Sequence, residues 1–176
     1  RSDSGDLPLV FKEINLTELF SRLAQDVEVL AQEKGVRFKL GLRESLAVKG
    51  DRVRLSQLFL NILDNAVRYT PGGGTITGSV TRRDLSAVVT IEDTGAGIPA
   101  EHLPFIFDRF YRADKARSRA EGGTGLGLAI AMSIARMHGG TIEVESRIDK
   151  GTVIRVVLPA LPPASPLPEP RSLPRD

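Results

Sequence analysis

The chain predicts an α+β fold, a two-layer α/β sandwich in which a mixed, mostly antiparallel sheet of about five strands carries three helices on one face. Three observations lead there. Three segments hold apolar side chains at steps of three and four, each with a recognisable start or stop. Short runs between and after them alternate apolar and polar residues. Glycine clusters fall where helix gives way to strand. At 176 residues the chain suits one globular domain.

The elements follow in order. Residues 1–8 are polar, with Gly and Pro, and read as a linker. Leu9 to Ile14 fits a short edge strand. Asn15-Leu-Thr-Glu18 supplies a cap and, three residues on, the acid of a capping box. Leu16, Leu19, Phe20, Leu23, Val27, Leu30 and Ala31 then keep one helical face until Gly35, and Val36 to Leu42 reads as a strand. Asp51 caps a second helix with an apolar stripe of Leu55, Leu58, Phe59, Ile62, Leu63 and Ala66. Gln57, Asn61, Asp64, Asn65 and Arg68 fall on its other face, and Pro71-Gly-Gly-Gly74 stops it. Thr75–Val80 and Ala87–Glu92 are strands around the turn Arg82-Arg83-Asp84. Residues 98–121 form a long connection, apolar first and charged later. Leu128 to His138 is a third helix ended by Gly139-Gly140. Thr141–Ser146 and Thr152–Leu158 close the domain as a hairpin around Asp149-Lys150-Gly151. The domain therefore spans 9–158, and prolines recurring through 159–176 mark a disordered tail.

Composition narrows the function. Basic and acidic side chains nearly balance, 24 against 22, so no one-sided basic stripe suggests a nucleic-acid partner. No apolar run is long enough to cross a bilayer, and no signal peptide is visible. Absence of cysteine rules out disulfides and thiolate metal sites.

Chemistry concentrates in three segments. Asn61-Ile-Leu-Asp-Asn65 sets two carboxamides one helical turn apart, so their oxygens point the same way. Two neutral oxygen ligands with phosphate and water suit Mg²⁺; a solvated polar face is the plainer alternative. Arg68 could reach a phosphate and Tyr69 could lie against a purine. Asp93-Thr-Gly-Ala-Gly97-Ile98 ends a strand in a carboxylate beside flexible backbone. That acid can accept a hydrogen bond from the exocyclic amine of adenine, whereas the carbonyl of guanine would repel it. Alternatively Asp93 caps its own turn. The same string occurs in aspartic proteases, but a single copy would need a homodimer and leaves the other segments idle.

Gly122-Gly-Thr-Gly-Leu-Gly127 opens the third helix, and backbone amides there make an anion site. It is no dinucleotide fingerprint, because the charged run Arg112–Glu121 precedes it where a strand should stand. Nor is it a Walker loop, which needs Lys and Ser/Thr where Leu128 and Ala129 stand. Between the glycine segments, Phe105, Ile106, Phe107 and Phe110 can anchor a loop whose remainder carries Arg109, Arg112, Lys115, Arg117 and Arg119. A long loop in a compact domain is commonly functional, and this one lies where a lid over triphosphate belongs.

Residues 10–158 resemble the catalytic ATP-binding domain of a bacterial two-component sensor histidine kinase, of the Bergerat-type fold shared with DNA gyrase. Leu55–Thr70 is similar to the N box, Asp93–Ile98 to the G1 box, Phe107–Arg112 to the F box and Gly123–Leu128 to the G2 box. The resemblance implies Mg²⁺ bound by Asn65 with Asn61 in support, and catalysis by these two with Arg112. It implies ATP contacts from Asn61, Asn65, Arg68, Tyr69, Asp93, Gly95, Gly97, Ile98, Phe107, Tyr111, Arg112, Gly123, Thr124, Gly125, Leu126, Gly127 and Leu128, under an ATP lid at about 99–122. Gyrase-like hydrolases carry Glu where this chain has Asn61, and a carboxamide takes no proton at neutral pH. The expected reaction is thus transfer to an outside histidine, and from there to an aspartate on a response regulator. His102 and His138 both read as parts of this domain, so the histidine belongs to a separate dimerisation and phosphoacceptor domain. The implied setting is cytoplasmic, without membrane contact of its own, beneath a parent that can be anchored in the inner membrane. A non-catalytic or serine-kinase-type nucleotide-binding relative is the alternative.

Overall fold

The computed structural model describes residues 8–111 and 127–163. Within them run β1 (Lys12–Asn15), α1 (Leu16–Glu33), β2 (Arg37–Leu42), β3 (Ala47–Gly50), α2 (Arg52–Tyr69), β4 (Thr75–Arg83), β5 (Ser86–Asp93), a 3-10 turn (Leu103–Phe105), α3 (Gly127–Met137), β6 (Thr141–Arg147) and β7 (Gly151–Pro159). A five-stranded sheet has the order β2-β4-β5-β7-β6. Its β2–β4 pair is parallel and the other pairs are antiparallel. The helices pack on one face, as the alternation of apolar residues requires. No helix among the described residues is long and apolar enough to cross a membrane.

Local chemistry sets the helix ends. Asn15 Oδ1 accepts the Glu18 N–H at 3.0 Å, and Asp51 Oδ1 accepts that of Arg54 at 3.0 Å. Such caps are each worth about 1 kcal/mol. The last turn of α2 is tied from outside, where Lys34 Nζ donates to the carbonyls of Val67 and Arg68 at 2.9 and 2.7 Å. A cation there complements the negative end of the helix dipole. His138 ends α3 by donating from Nδ1 to the Ile134 carbonyl at 2.8 Å, while its Nε2 accepts the Asp51 N–H at 3.0 Å. One imidazole thus joins the far ends of α2 and α3.

The stripe of α2 is fully buried from Leu55 to Leu63 against Ile76, Val80, Ala87, Val89, Ile91, Val156 and Leu158. Phe20 of α1 meets Phe59 edge-on, with centroids 5.7 Å apart. Burying each such ring contributes about 1.5–3 kcal/mol.

Three expectations need correction. The predicted strand from Leu9 begins only at Lys12, and it pairs with β3 in a separate two-stranded sheet. β3 itself is four residues, too short for its alternation to register in sequence. β4 continues through Arg82 and Arg83, leaving a two-residue turn of Asp84 and Leu85 with Asp84 at φ 53°. Finally, packing outlasts Leu158: Ala160 donates to the Leu85 carbonyl and Leu161 to that of Ala47.

Candidate functional site

A polar row crosses one end of the sheet. Ala87, Val89, Ile91 and Asp93 share the helix-covered face of β5, so Asp93 ends a stripe whose other members are core. Register sets Ile76 opposite Asp93, Asp93 opposite Thr152, and Thr152 opposite Ser146. Thr152 is 7 % exposed and Ser146 half-buried. Neither was anticipated. Both are ordinary residues in sequence, and only the pairing register, which puts a hydroxyl where an apolar inward residue would be expected, singles them out.

Burial raises the Asp93 carboxyl above its usual range, the neighbouring Glu92 adds to this, and the backbone amides of Gly95 and Thr152 pull the other way. Asp93 Oδ1 accepts the Gly95 N–H at 2.9 Å. The plainer reading of this acid, a cap on its own turn, therefore holds for one oxygen, and each carboxylate oxygen can accept more than one bond.

The loop after Asp93 lies flat against its surroundings. A Cβ on Gly95 would fall 2.5 Å from the Tyr69 carbonyl oxygen, so any other residue would push the loop off the end of α2. Gly97 combines φ +77° with a Cβ position 2.0 Å from the Arg147 carbonyl, which only glycine can occupy. Asp149 N–H donates to the Ala96 carbonyl at 2.8 Å, and Ile98 N–H donates to Ser146 Oγ at 2.7 Å. The β6–β7 hairpin thus clamps the loop.

Asn61 and Asn65 are half-buried on α2. Asn61 Nδ2 donates to the Gly127 carbonyl at 3.2 Å, which ties the polar edge of α2 to the first residue of α3. Its amide nitrogen is thereby committed and its oxygen left as an acceptor. Arg68 is half-buried and Tyr69 exposed at the end of the same helix, beside Gly95. Leu128 at the start of α3 and Ile98 are half-buried.

The aromatic anchor is narrower than expected. Ile106 is buried and Phe107 packs against the core, but Phe105 and Phe110 are exposed. Phe110 sits at φ 64°, turned out beneath the Arg109 guanidinium. A 3-10 turn followed by irregular bends cannot point all four of these aromatic and aliphatic side chains inward. Tyr111 is held by its hydroxyl against His102 Nδ1. Beside this segment, Phe107, Asp108 and Arg109 border a groove of about 280 Å³ with Ala129, Met132, Ser133 and Arg136 of α3. Arg112, Gly123, Thr124, Gly125 and Leu126 lie outside the described residues, as do Lys115, Arg117 and Arg119.

Among the described residues no three His, Cys, Asp or Glu side chains gather into a metal cluster. Asn61 stands at the head of α3 with Asn65 one turn on along α2, and two neutral carboxamide oxygens suit a hard cation keeping most of its water.

Comparisons with known proteins bear on the family and the fold. Residues 50–162 match the family model described as histidine kinase-, DNA gyrase B-, and HSP90-like ATPase. The chain is 39 % identical over 160 residues to the sensor histidine kinase CusS of Escherichia coli, covering 91 % of this chain and 33 % of that protein. It spans between a quarter and about a third of the length of the curated relatives it matches. Among solved structures, a mycobacterial sensor histidine kinase, MprB, superposes with TM-score 0.76 at 31 % identity, over 87 % of this chain and 99 % of that one. The histidine kinase ThkA, solved in complex with the response regulator TrrA, gives 0.73 at 28 %, over 89 % and 44 %.

Proposed function

This chain belongs to the histidine kinase-, DNA gyrase B- and HSP90-like ATPase family, and from that premise we propose that it is the cytoplasmic catalytic domain of a sensor histidine kinase. It binds Mg-ATP and passes the γ-phosphoryl group to a histidine on a separate dimerisation domain, which feeds a response regulator. The observation that carries this reading is the convergence, at one end of the sheet, of a half-buried carboxylate and a carboxamide helix tied to the head of α3.

Each residue has a defined task. Asp93 accepts from the adenine amine, and against guanine it would face a carbonyl, leaving a desolvated acid unpaired. Tyr69 flanks the base and Arg68 meets phosphate. Asn65, with Asn61, holds magnesium, which when bound offsets phosphate charge and polarises the γ-phosphoryl group. Asn61 cannot take a proton from water, so hydrolysis gains no general base from that position. A neutral imidazole needs none: its nitrogen lone pair forms the P–N bond while the bond to the ADP oxygen breaks.

The test mixes the chain with γ-labelled ATP and a helical-hairpin domain bearing a histidine. Acid-labile label on the hairpin supports the reading. Acid-stable label would indicate a hydroxyl acceptor, and free phosphate without labelled protein a hydrolase; either would overturn it.

A further inference from the structure

We propose that Lys34 is a positioning residue for nucleotide binding, its ammonium group holding the last turn of α2 closed so that Arg68 and Tyr69 stand ready for the ligand. The proposal rests on the reading of that helix end as part of the ATP site. A helix leaves its last four carbonyls without a partner of its own. In α2 these belong to Ala66, Val67, Arg68 and Tyr69, and each is met by a group beyond the helix. Thr70 Oγ1 donates to the first at 2.6 Å, and Lys34 Nζ donates to the second and third at 2.9 and 2.7 Å. The fourth lies against Gly95, where a Cβ would fall 2.5 Å from its oxygen.

Packing holds this turn less firmly than the rest of the helix. The buried stripe of α2 ends at Ala66; beyond it Val67 and Arg68 are half-buried and Tyr69 is 41 % exposed. Lys34, by contrast, extends from backbone that is itself pinned. It closes α1 between buried Ala31 and Val36, and its N–H and that of Val36 both donate to the Ala31 carbonyl, at 3.1 and 2.8 Å. The turns that follow α1 and α2 are laced together, Gly73 N–H donating to the Gly35 carbonyl at 2.8 Å and Arg37 N–H to that of Gly74 at 3.0 Å. The Arg68 carbonyl gripped by Lys34 belongs to the peptide joining Arg68 to Tyr69, so both side chains spring from backbone held by this one cation. Its charge also complements the negative end of the helix dipole. Without it two carbonyls lose their donor and the turn frays. A ligand that needs the turn formed then binds only the fraction of molecules in which it is.

Double-mutant cycles on the full chain, read by calorimetry with Mg-ATP, separate positioning from stability. Lys34→Met keeps the apolar stem and removes the charge, and should weaken ATP binding about two- to fivefold, the effect of one cation at a helix end. Lys34→Arg, which restores a cation with several donors, should recover most of the loss. In chains already carrying Arg68→Ala or Tyr69→Ala, adding Lys34→Met should cost less than it does alone, because the turn then has less to present. Hydrogen exchange gives a readout independent of affinity: amides of residues 67–69 should exchange faster in apo Lys34→Met than in the unaltered chain, and Mg-ATP should restore their protection. The same loss in all three backgrounds would overturn the proposal, and so would a lowered melting temperature with ATP affinity unchanged. Failure of the unaltered chain to bind Mg-ATP would instead strike the function proposed above, and this proposal with it.

Discussion

Replacing Asp93 by Asn separates a recognition role from a structural one. Asn keeps an oxygen that can accept the Gly95 N–H, so the cap observed at 2.9 Å can persist. What changes is the group offered to the base: an acceptor-only carboxylate becomes an amide whose NH₂ faces the adenine amine. A hydrogen bond to a charged acceptor contributes about 1.5–3 kcal/mol, so Mg-ATP affinity should fall about 10–150-fold. Stability should move the other way. Burial raises the Asp93 carboxyl, so its charged form is disfavoured in the fold and the favourable contribution is lost as pH rises through the raised value. Removing the charge relieves this above that pH, so the apo melting temperature at neutral pH should hold or rise. The same shift predicts that ATP affinity weakens on acidification sooner than an ordinary aspartate would dictate, while Asp93→Asn shows no such dependence. Calorimetry and apo melting curves across pH read both effects. Unchanged affinity would refute the recognition role, and a sharp loss of apo stability would make Asp93 a cap first.

Two further outcomes follow from the helices. Asn65→Ala should abolish the Mg²⁺-dependent part of ATP binding while leaving the apo melting curve nearly unchanged, since Asn65 is only half-buried; a collapsed apo fold in circular dichroism would make it structural. His138→Ala should do the opposite. It strands the N–H of Asp51, a residue 8 % exposed, and removes the ring that meets Phe11 at 5.2 Å, costing about 1–3 kcal/mol, or about 2–4 °C per kcal/mol in melting temperature. Lost ATP affinity with an unchanged melting curve would place His138 in the site instead.

Legibility in the sequence tracks how local the cause is. α2 could be read with its cap because Asp51, a helical stripe and Pro71 all lie within one window, and the structure buries that stripe. β3 could not, because Ala47–Gly50 becomes a strand only by pairing with β1, a contact spanning tens of residues. Arg82 and Arg83 look like turn residues, yet the sheet keeps them extended and Arg83 meets Glu143 of β6 across it. The site divides along the same line. Asp93 and the glycines announce themselves through an unusual string. Ser146 and Thr152 acquire meaning only when register brings them beside that string.

Asn61 shows how packing and chemistry constrain one another. Its Nδ2 donates to the Gly127 carbonyl, so the side chain that would carry a hydrolase's base serves here as a donor between two helices. A glutamate could not fill both roles. Ionised, it would set an acceptor against the Gly127 carbonyl oxygen, exchanging attraction for repulsion at the head of α3, the helix that opens onto the phosphate-binding glycines in the proposed function. Protonated, it could donate but could no longer deprotonate water. In the proposed function the carboxamide therefore disfavours hydrolysis because it cannot accept a proton, and it separately joins α2 to the first residue of α3.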